Sequence, residues 1–218
     1  GAEVSKFEDR ISKIFGKKYS VLVNSGSSAL DLAFSILDFP KGSNFITPVL
    51  TFGTTISSMV RANYVPNFID IKFDSLCISE NDIVKAINKK TVGMCIPNLV
   101  GNLPDWLVIK KIAKKNNLFL IEDSADTLGY KIKKKNTGKI SDIVITSYYG
   151  SHIVSCAGNG GSLSLNNKKL YEKSLLLRSW GRSSSLFKEN SEKIENRFNI
   201  RLDGIEYDKK FVFQELGF

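Results

Sequence analysis

The chain has 218 residues, 42% of them apolar, with 31 Lys and Arg against 22 Asp and Glu and a single His. That is one large domain or at most two small ones, too apolar and too moderately charged to be disordered, and with no run near the ~20 apolar residues of a membrane span. The net charge of +9 raises nucleic-acid binding, but short lysine runs such as Lys131, Lys133, Lys134 and Lys135 lack interleaved aromatics, so a solvated face or an affinity for small anions explains the charge more simply.

In chain order, Val4, Phe7, Ile11, Ile14 and Phe15 recur at helical spacing, and Gly16 is a helix stop. Tyr19–Val23 reads as a strand, residues 27–37 as an apolar helix ending before Pro40, and 44–47 as the next strand. A helix near 51–62 leads to a strand over 65–71, and Ser79 with Asp82 resembles a capping signal ahead of Ile83, Val84 and Ile87. A strand over 92–97, a helix over 106–115 and a strand over 118–122 continue the alternation. After a turn-rich lysine segment come strands over 142–147 and 162–165, then a helix from 167 to about 180. Residues 183–210, Ser-rich and then mixed in charge, predict a long loop, lid or connection. Alternating helices and strands, several strands apolar on nearly every residue, predict an α/β fold: a three-layer, mainly parallel sheet with helices on both faces.

Three cysteines, Cys77, Cys95 and Cys156, are scattered without disulfide or zinc spacing, which suits a reducing cytoplasm. No charged-then-apolar leader opens the chain, and its Gly1-Ala2 start without Met reads as a cut end. His152 stands alone, so a multi-His metal site is excluded and any Ser-His-Asp or Cys-His device has to use this imidazole. By itself it is most simply a packed or surface residue.

Open parallel sheets bind ligands beyond the carboxyl ends of their strands. Three polar clusters fall at such ends: Asn24 to Ser28, Glu122 to Asp126, and Ser147 to His152. The first, closing a strand and opening a helix, is either a phosphate cradle or an ordinary Ser cap; it lacks the endings of a Walker loop and the three-glycine spacing of a dinucleotide fingerprint. Asp123 can bind a metal, orient a base, hold the protonated ring nitrogen of a pyridoxal-type cofactor, or cap a helix. Phe52 offers a ring for stacking, or belongs to the core.

Asn24-Ser-Gly-Ser-Ser-Ala29, Thr47-Pro-Val-Leu-Thr-Phe52, Glu122-Asp-Ser-Ala-Asp126, the segment from Ser147 to His152, and Gly158-Asn-Gly-Gly161 occur in order along nearly the whole chain. Together they resemble the DegT/DnrJ/EryC1/StrS family, sugar aminotransferases of the aspartate aminotransferase-like, pyridoxal phosphate-dependent transferase fold. The resemblance implies that Gly26, Ser27 and Ser147 hold the cofactor phosphate, that Phe52 stacks on the pyridine, that Asp123 pairs with its nitrogen, and that Asp126 belongs to the same cofactor site.

One departure matters most. The family's aminotransferases carry a Schiff-base Lys five residues after the Ser equivalent to Ser147, and here that position is His152. A Lys-to-His exchange marks the family's sugar 3-dehydratases, in which pyridoxamine phosphate serves the removal of the C3 hydroxyl from a nucleotide-linked 4-keto-6-deoxyhexose and the His is the catalytic base. One branch of these carries an iron–sulfur cluster on cysteines just after a Trp-Gly-Arg segment. Here Trp180-Gly181-Arg182 is followed by three serines, and no Cys occurs after Cys156. The resemblance therefore implies the branch that regenerates pyridoxamine phosphate, with glutamate as amine donor and pyridoxal phosphate on the return path. It also implies a homodimer, a cytoplasmic enzyme that binds neither membrane nor nucleic acid, and a chain whose residues 1–218 are the cofactor-binding large domain without the smaller C-terminal domain. The alternatives are a sugar aminotransferase and a non-catalytic binding or regulatory relative.

Overall fold

The computed structural model describes residues 1–186, 194, 197–198 and 200–218. These form two compact units, Gly1–Asn166 and Asn167–Phe218.

The first unit is built on a seven-stranded sheet. Its strands are β1 (Tyr19–Val23), β2 (Asn44–Pro48), β3 (Val65–Ile69), β4 (Thr91–Pro97), β5 (Phe119–Asp123), β8 (Ile143–Ser147) and β9 (Gly161–Leu165), in the order β1-β9-β8-β5-β4-β2-β3. The pairs β2·β3, β2·β4, β4·β5 and β5·β8 are parallel, and only β9 runs against its neighbours. The mainly parallel sheet expected from the apolar runs is therefore observed. All five residues of β2, β8 and β9 are buried, as strands covered on both faces require.

Side chains alternate between the two faces. On one, Ile46, Met94, Ile96 and Leu120 join Trp106, Ile109 and Ala113 of α5 (Trp106–Lys115) and Ile83 of α4 (Glu80–Ala86) in a single apolar cluster. Val144 on the same face joins Ile11 and Phe15 of α1 (Ala2–Phe15). Strands β8 and β9 also pack against α2 (Gly26–Ser35), which in turn lies on α3 (Gly53–Arg61). A ring cluster of Phe34, Phe39, Phe45, Tyr64 and Phe119 packs largely edge-to-face, with centroids 5.1–6.4 Å apart.

The element boundaries fall close to those the sequence predicts. Ser79 occupies the N-cap position of α4 but makes no side-chain capping bond there. The lysine segment is not irregular throughout: β6 (Lys131–Ile132) and β7 (Lys135–Asn136) pair as a small hairpin, turned through Lys133 and Lys134 at φ 48° and 66°.

In the second unit, α6 (Lys168–Arg178) starts from Asn167, whose side chain accepts from Leu170 N–H. The expected long loop over 183–210 holds more structure than predicted. Turns of 3-10 helix span Ser183–Leu186 and Lys209–Phe211, and β10 (Ile200–Leu202) pairs antiparallel with β11 (Ile205–Tyr207). Its turn is Asp203-Gly204, both at positive φ, a favoured two-residue hairpin connection. The loop reading for residues 187–193, 195–196 and 199 lies outside the described residues. The Arg182 guanidinium lies 4.8 Å from the Trp180 ring centre and 5.7 and 5.6 Å from those of Phe211 and Phe213.

Candidate active site

A cavity of about 660 Å³ opens in the first unit at the carboxyl ends of β4, β5 and β8, where an open parallel sheet places its ligands. Gly26, Ser27, Phe52, Asp123, Asp126, Ser147 and His152 all line it. The three polar clusters, far apart in sequence, thus meet in one place. None of the described residues lining it is Lys or Arg.

One wall is the start of α2. Ser25 is its N-cap, with Oγ accepting from Ser28 N–H at 3.0 Å, while the amides of the first turn have no partner within the helix. A Cβ added to Gly26 would lie 2.6 Å from Ser147 Cβ. One added to Gly161 would lie 2.2 Å from the Ser25 carbonyl oxygen. Two glycines therefore let the helix start, the end of β8 and the start of β9 converge on one small volume, walled by first-turn amides and the Ser27 and Ser147 hydroxyls. Ser27 Oγ donates to Thr54 Oγ1 at 3.1 Å, which ties this wall to α3.

Asp123 ends β5 and is buried. Its Oδ1 accepts from Ala125 N–H at 3.1 Å and its Oδ2 from the Thr55 hydroxyl at 3.3 Å. Burial pushes its carboxyl up to about 6, the Ala125 amide opposing this and the charge of Asp126 adding to it. Phe52 caps α3 and is 69% exposed, which removes the core reading and leaves its ring at the cavity rim.

Asp126 and His152 approach each other in the cavity lining, Oδ1 to Nδ1 at 3.4 Å. The other oxygen of Asp126 accepts from Val100 N–H at 2.9 Å. His152 N–H donates to the Tyr149 carbonyl at 2.9 Å, and the two rings meet edge-on with centroids 6.2 Å apart.

Behind this wall is a network that sequence reasoning did not anticipate. Asn98 is buried, with Nδ2 within 3.1 Å of Glu122 Oε1, Ser124 Oγ and Thr127 Oγ1, and with Oδ1 accepting from Trp106 Nε1 at 2.7 Å. Glu122 also accepts from the Ser124 and Ser141 hydroxyls. Desolvation raises its carboxyl, opposed by these donors. An Asn just past a strand carries no signal of such a role, because its four partners lie elsewhere in the chain, at Trp106 and within residues 122–127.

The sheet, with its single reversed strand beside β8 and a cavity at the carboxyl ends of its parallel strands, is that of a PLP-dependent transferase fold, as its match to solved structures of that fold shows. The chain belongs to the DegT/DnrJ/EryC1/StrS aminotransferase family, whose model matches residues 1–206. It is 31% identical to the dTDP-4-dehydro-2,6-dideoxy-D-glucose 3-dehydratase of Saccharopolyspora spinosa, across 100% of this chain and 49% of that protein. It is 32% identical to a GDP-perosamine synthase of Escherichia coli O157:H7, across 83% of this chain and 50% of the other. Among solved structures, E. coli GDP-4-keto-6-deoxy-D-mannose 3-dehydratase with bound hydrated PLP matches with a TM-score of 0.87 and 26% identity, over 100% of this chain and 56% of that one. The chain spans about half the length of the curated relatives it matches.

Proposed function

We propose that this chain is the cofactor-binding part of a pyridoxamine phosphate-dependent dehydratase that removes the C3 hydroxyl of a nucleotide-linked 4-keto-6-deoxyhexose. The observation that carries the reading is His152, standing in a cavity none of whose described lining residues is a lysine. A Schiff-base enzyme needs that amine; a dehydratase needs a proton carrier there instead.

The donor set fits the cofactor. The cradle of first-turn amides with Ser27 and Ser147, closed by Gly26 and Gly161 to any added Cβ, suits a phosphate at a helix start. Asp123 is a buried carboxyl with no cationic partner among the described residues, and a protonated ring nitrogen is the group that would supply one. Phe52 supplies an exposed ring beside it for stacking on the pyridine, and Asp126 lies on the same wall.

When bound, pyridoxamine phosphate supplies an amine for the sugar's C4 ketone and a ring that accepts an electron pair. Asp123 then keeps the ring nitrogen protonated and so fixes that electron sink. His152 would hold a proton taken at the C4′ carbon and would donate one to the departing C3 hydroxyl, since imidazole both accepts and donates near neutral pH. The names of the relatives support a nucleotide sugar as substrate. Glutamate as amine donor, with pyridoxal phosphate on the return path, a homodimeric assembly and a cytoplasmic setting complete the reading. Residues 1–218 then form the large domain of a longer enzyme.

In the complete protein, His152→Asn is expected to retain cofactor and to lose at least about 10²-fold in solvent-proton exchange at C4′ with a 4-keto sugar nucleotide, the usual size of a general-base contribution. Unchanged exchange overturns the role of His152. The second reading, a sugar aminotransferase, has the similarity to a perosamine synthase in its favour. It requires a borohydride-stable lysine adduct of the cofactor, which the dehydratase excludes.

A further inference from the structure

We propose that Asp126 is the positioning residue for His152: it holds Nδ1 as the protonated nitrogen, so that Nε2 presents its lone pair to the cavity. The inference deepens the dehydratase reading and rests on it for the role of His152, but the geometry it starts from does not depend on any cofactor.

Three observations converge. First, Asp126 Oδ1 faces His152 Nδ1 at 3.4 Å, a few tenths of an ångström beyond a usual N–H···O bond, as catalytic contacts often are before substrate tightens them. An ionised carboxylate only accepts, so the imidazole nitrogen facing it is the one that carries hydrogen. Second, Asp126 is itself fixed: Oδ2 accepts from Val100 N–H at 2.9 Å. Val100 sits at φ 54°, ψ 28°, a left-handed conformation that is costly for a β-branched residue and that persists only where the surroundings enforce it. The enforcement is visible. Asn98, two residues earlier, is locked by Trp106, Glu122, Ser124 and Thr127, and its N–H donates to the Asp123 carbonyl at 2.9 Å. Third, the Tyr149 ring meets the imidazole edge-on, and the backbone that carries His152 is fixed by its amide N–H, which donates to the Tyr149 carbonyl. The strained turn thus aims an amide at Asp126, and Asp126 aims the imidazole.

A carboxylate and an amide of the same shape give opposite outcomes here. In Asp126→Asn, the amide oxygen can still take the Val100 N–H, which leaves its NH2 facing His152. The imidazole must then accept at Nδ1 and carry hydrogen on Nε2, with no lone pair left for the cavity.

Residues 1–218 contain one histidine, and in side-chain nitrogen-15 NMR of the complete protein its signals are assigned as those lost in His152→Asn. The protein is taken tag-free and cofactor-free, at pH 9. The expected result is hydrogen on Nδ1 in the wild type and on Nε2 in Asp126→Asn. With cofactor and 4-keto sugar nucleotide, C4′ exchange in the variant is expected to fall at least about 10²-fold, with the substrate KM little changed. A wild type with hydrogen on Nε2, a solvent-like mixture of tautomers, or a variant with the wild-type tautomer overturns the proposal. A wild-type Nδ1–H that flips in the variant, together with a borohydride-stable lysine adduct, would sink the dehydratase reading and leave the pairing standing.

Discussion

Glu122 and Asp123 are consecutive residues of β5, both buried, both with carboxyls raised by desolvation, and they face opposite sides of the sheet. Glu122 points into a closed network, where Asn98, Ser124 and Ser141 occupy its oxygens with side-chain donors. Asp123 points into the cavity and has one backbone amide and one hydroxyl at 3.3 Å. The first environment is complete as it stands; the second has fewer donors among the described residues. Buried carboxyls are alike in cost and differ in how that cost is met, and the incompletely met one marks the place for a ligand.

This contrast predicts different phenotypes for the two neighbours. Glu122→Ala should have the largest effect on folding, a loss of about 3–5 kcal/mol, because it opens a cavity and removes the acceptor of the Ser124 hydroxyl and one acceptor each of Asn98 and Ser141. Urea unfolding of the cofactor-free protein checks this. A loss below about 1 kcal/mol would mean that the network is not closed.

Asp123→Asn should do the reverse. The folded-state carboxyl, at about 6, lies above its ordinary value of 3.8, so the native state binds more protons than the unfolded state between those limits. Stability is fullest below about pH 4 and falls as pH rises through 6, by up to about 3 kcal/mol for a shift of this size. The neutral amide removes that slope, so the cofactor-free variant should match or exceed the wild type at pH 7–8 and lose its advantage near pH 4. Cofactor is expected to raise the melting temperature of the wild type by binding the native state and to protect the variant far less. A variant less stable than wild type at pH 8 would break the comparison.

How much of this was legible in the sequence depended on whether the signal was local. The strands were readable because parallel strands covered on both faces are apolar runs, as in Phe119 to Ile121 or Ile143 to Ile145. The cavity was readable because its polar residues sit directly after those runs, and the exchange at His152 needed only a count from Ser147. The Lys133-Lys134 turn was not readable, because positive φ at two lysines carries none of the usual Asn or Gly signal. Asp203-Gly204 did carry it, within a stretch whose weak periodicity hid two short strands. The Asn98 network and the Asp126–His152 pairing were invisible for another reason: each joins residues that only the folded sheet brings together, and neither Asn nor Asp has a sequence pattern that names its partner.

Lys17 extends the comparison to the other end of β8 and predicts the smallest effect. Its Nζ is buried and donates to the Ser141 and Asp142 carbonyls at 2.6 and 3.1 Å, two partners, as Asp123 has. Burial nevertheless pulls its ammonium down from 10.5 to about 8, with Asp142 and Glu122 opposing the shift. Here the folded value lies below the unfolded one, so between about pH 8 and 10.5 the unfolded chain binds more protons and stability rises with pH. Lys17→Met should abolish that rise. At pH 7 it should change stability by only about 1 kcal/mol, because relief of a buried charge offsets the two lost carbonyl bonds. Unfolding midpoints at pH 7 and 9.5 for both proteins test this. If the variant still gains stability over that interval, the titrating group lies elsewhere, and hydrogen bonds to two carbonyls suffice to hold a buried ammonium at its ordinary value. In that case Asp123 is set apart from its surroundings by its fewer donors alone rather than by burial.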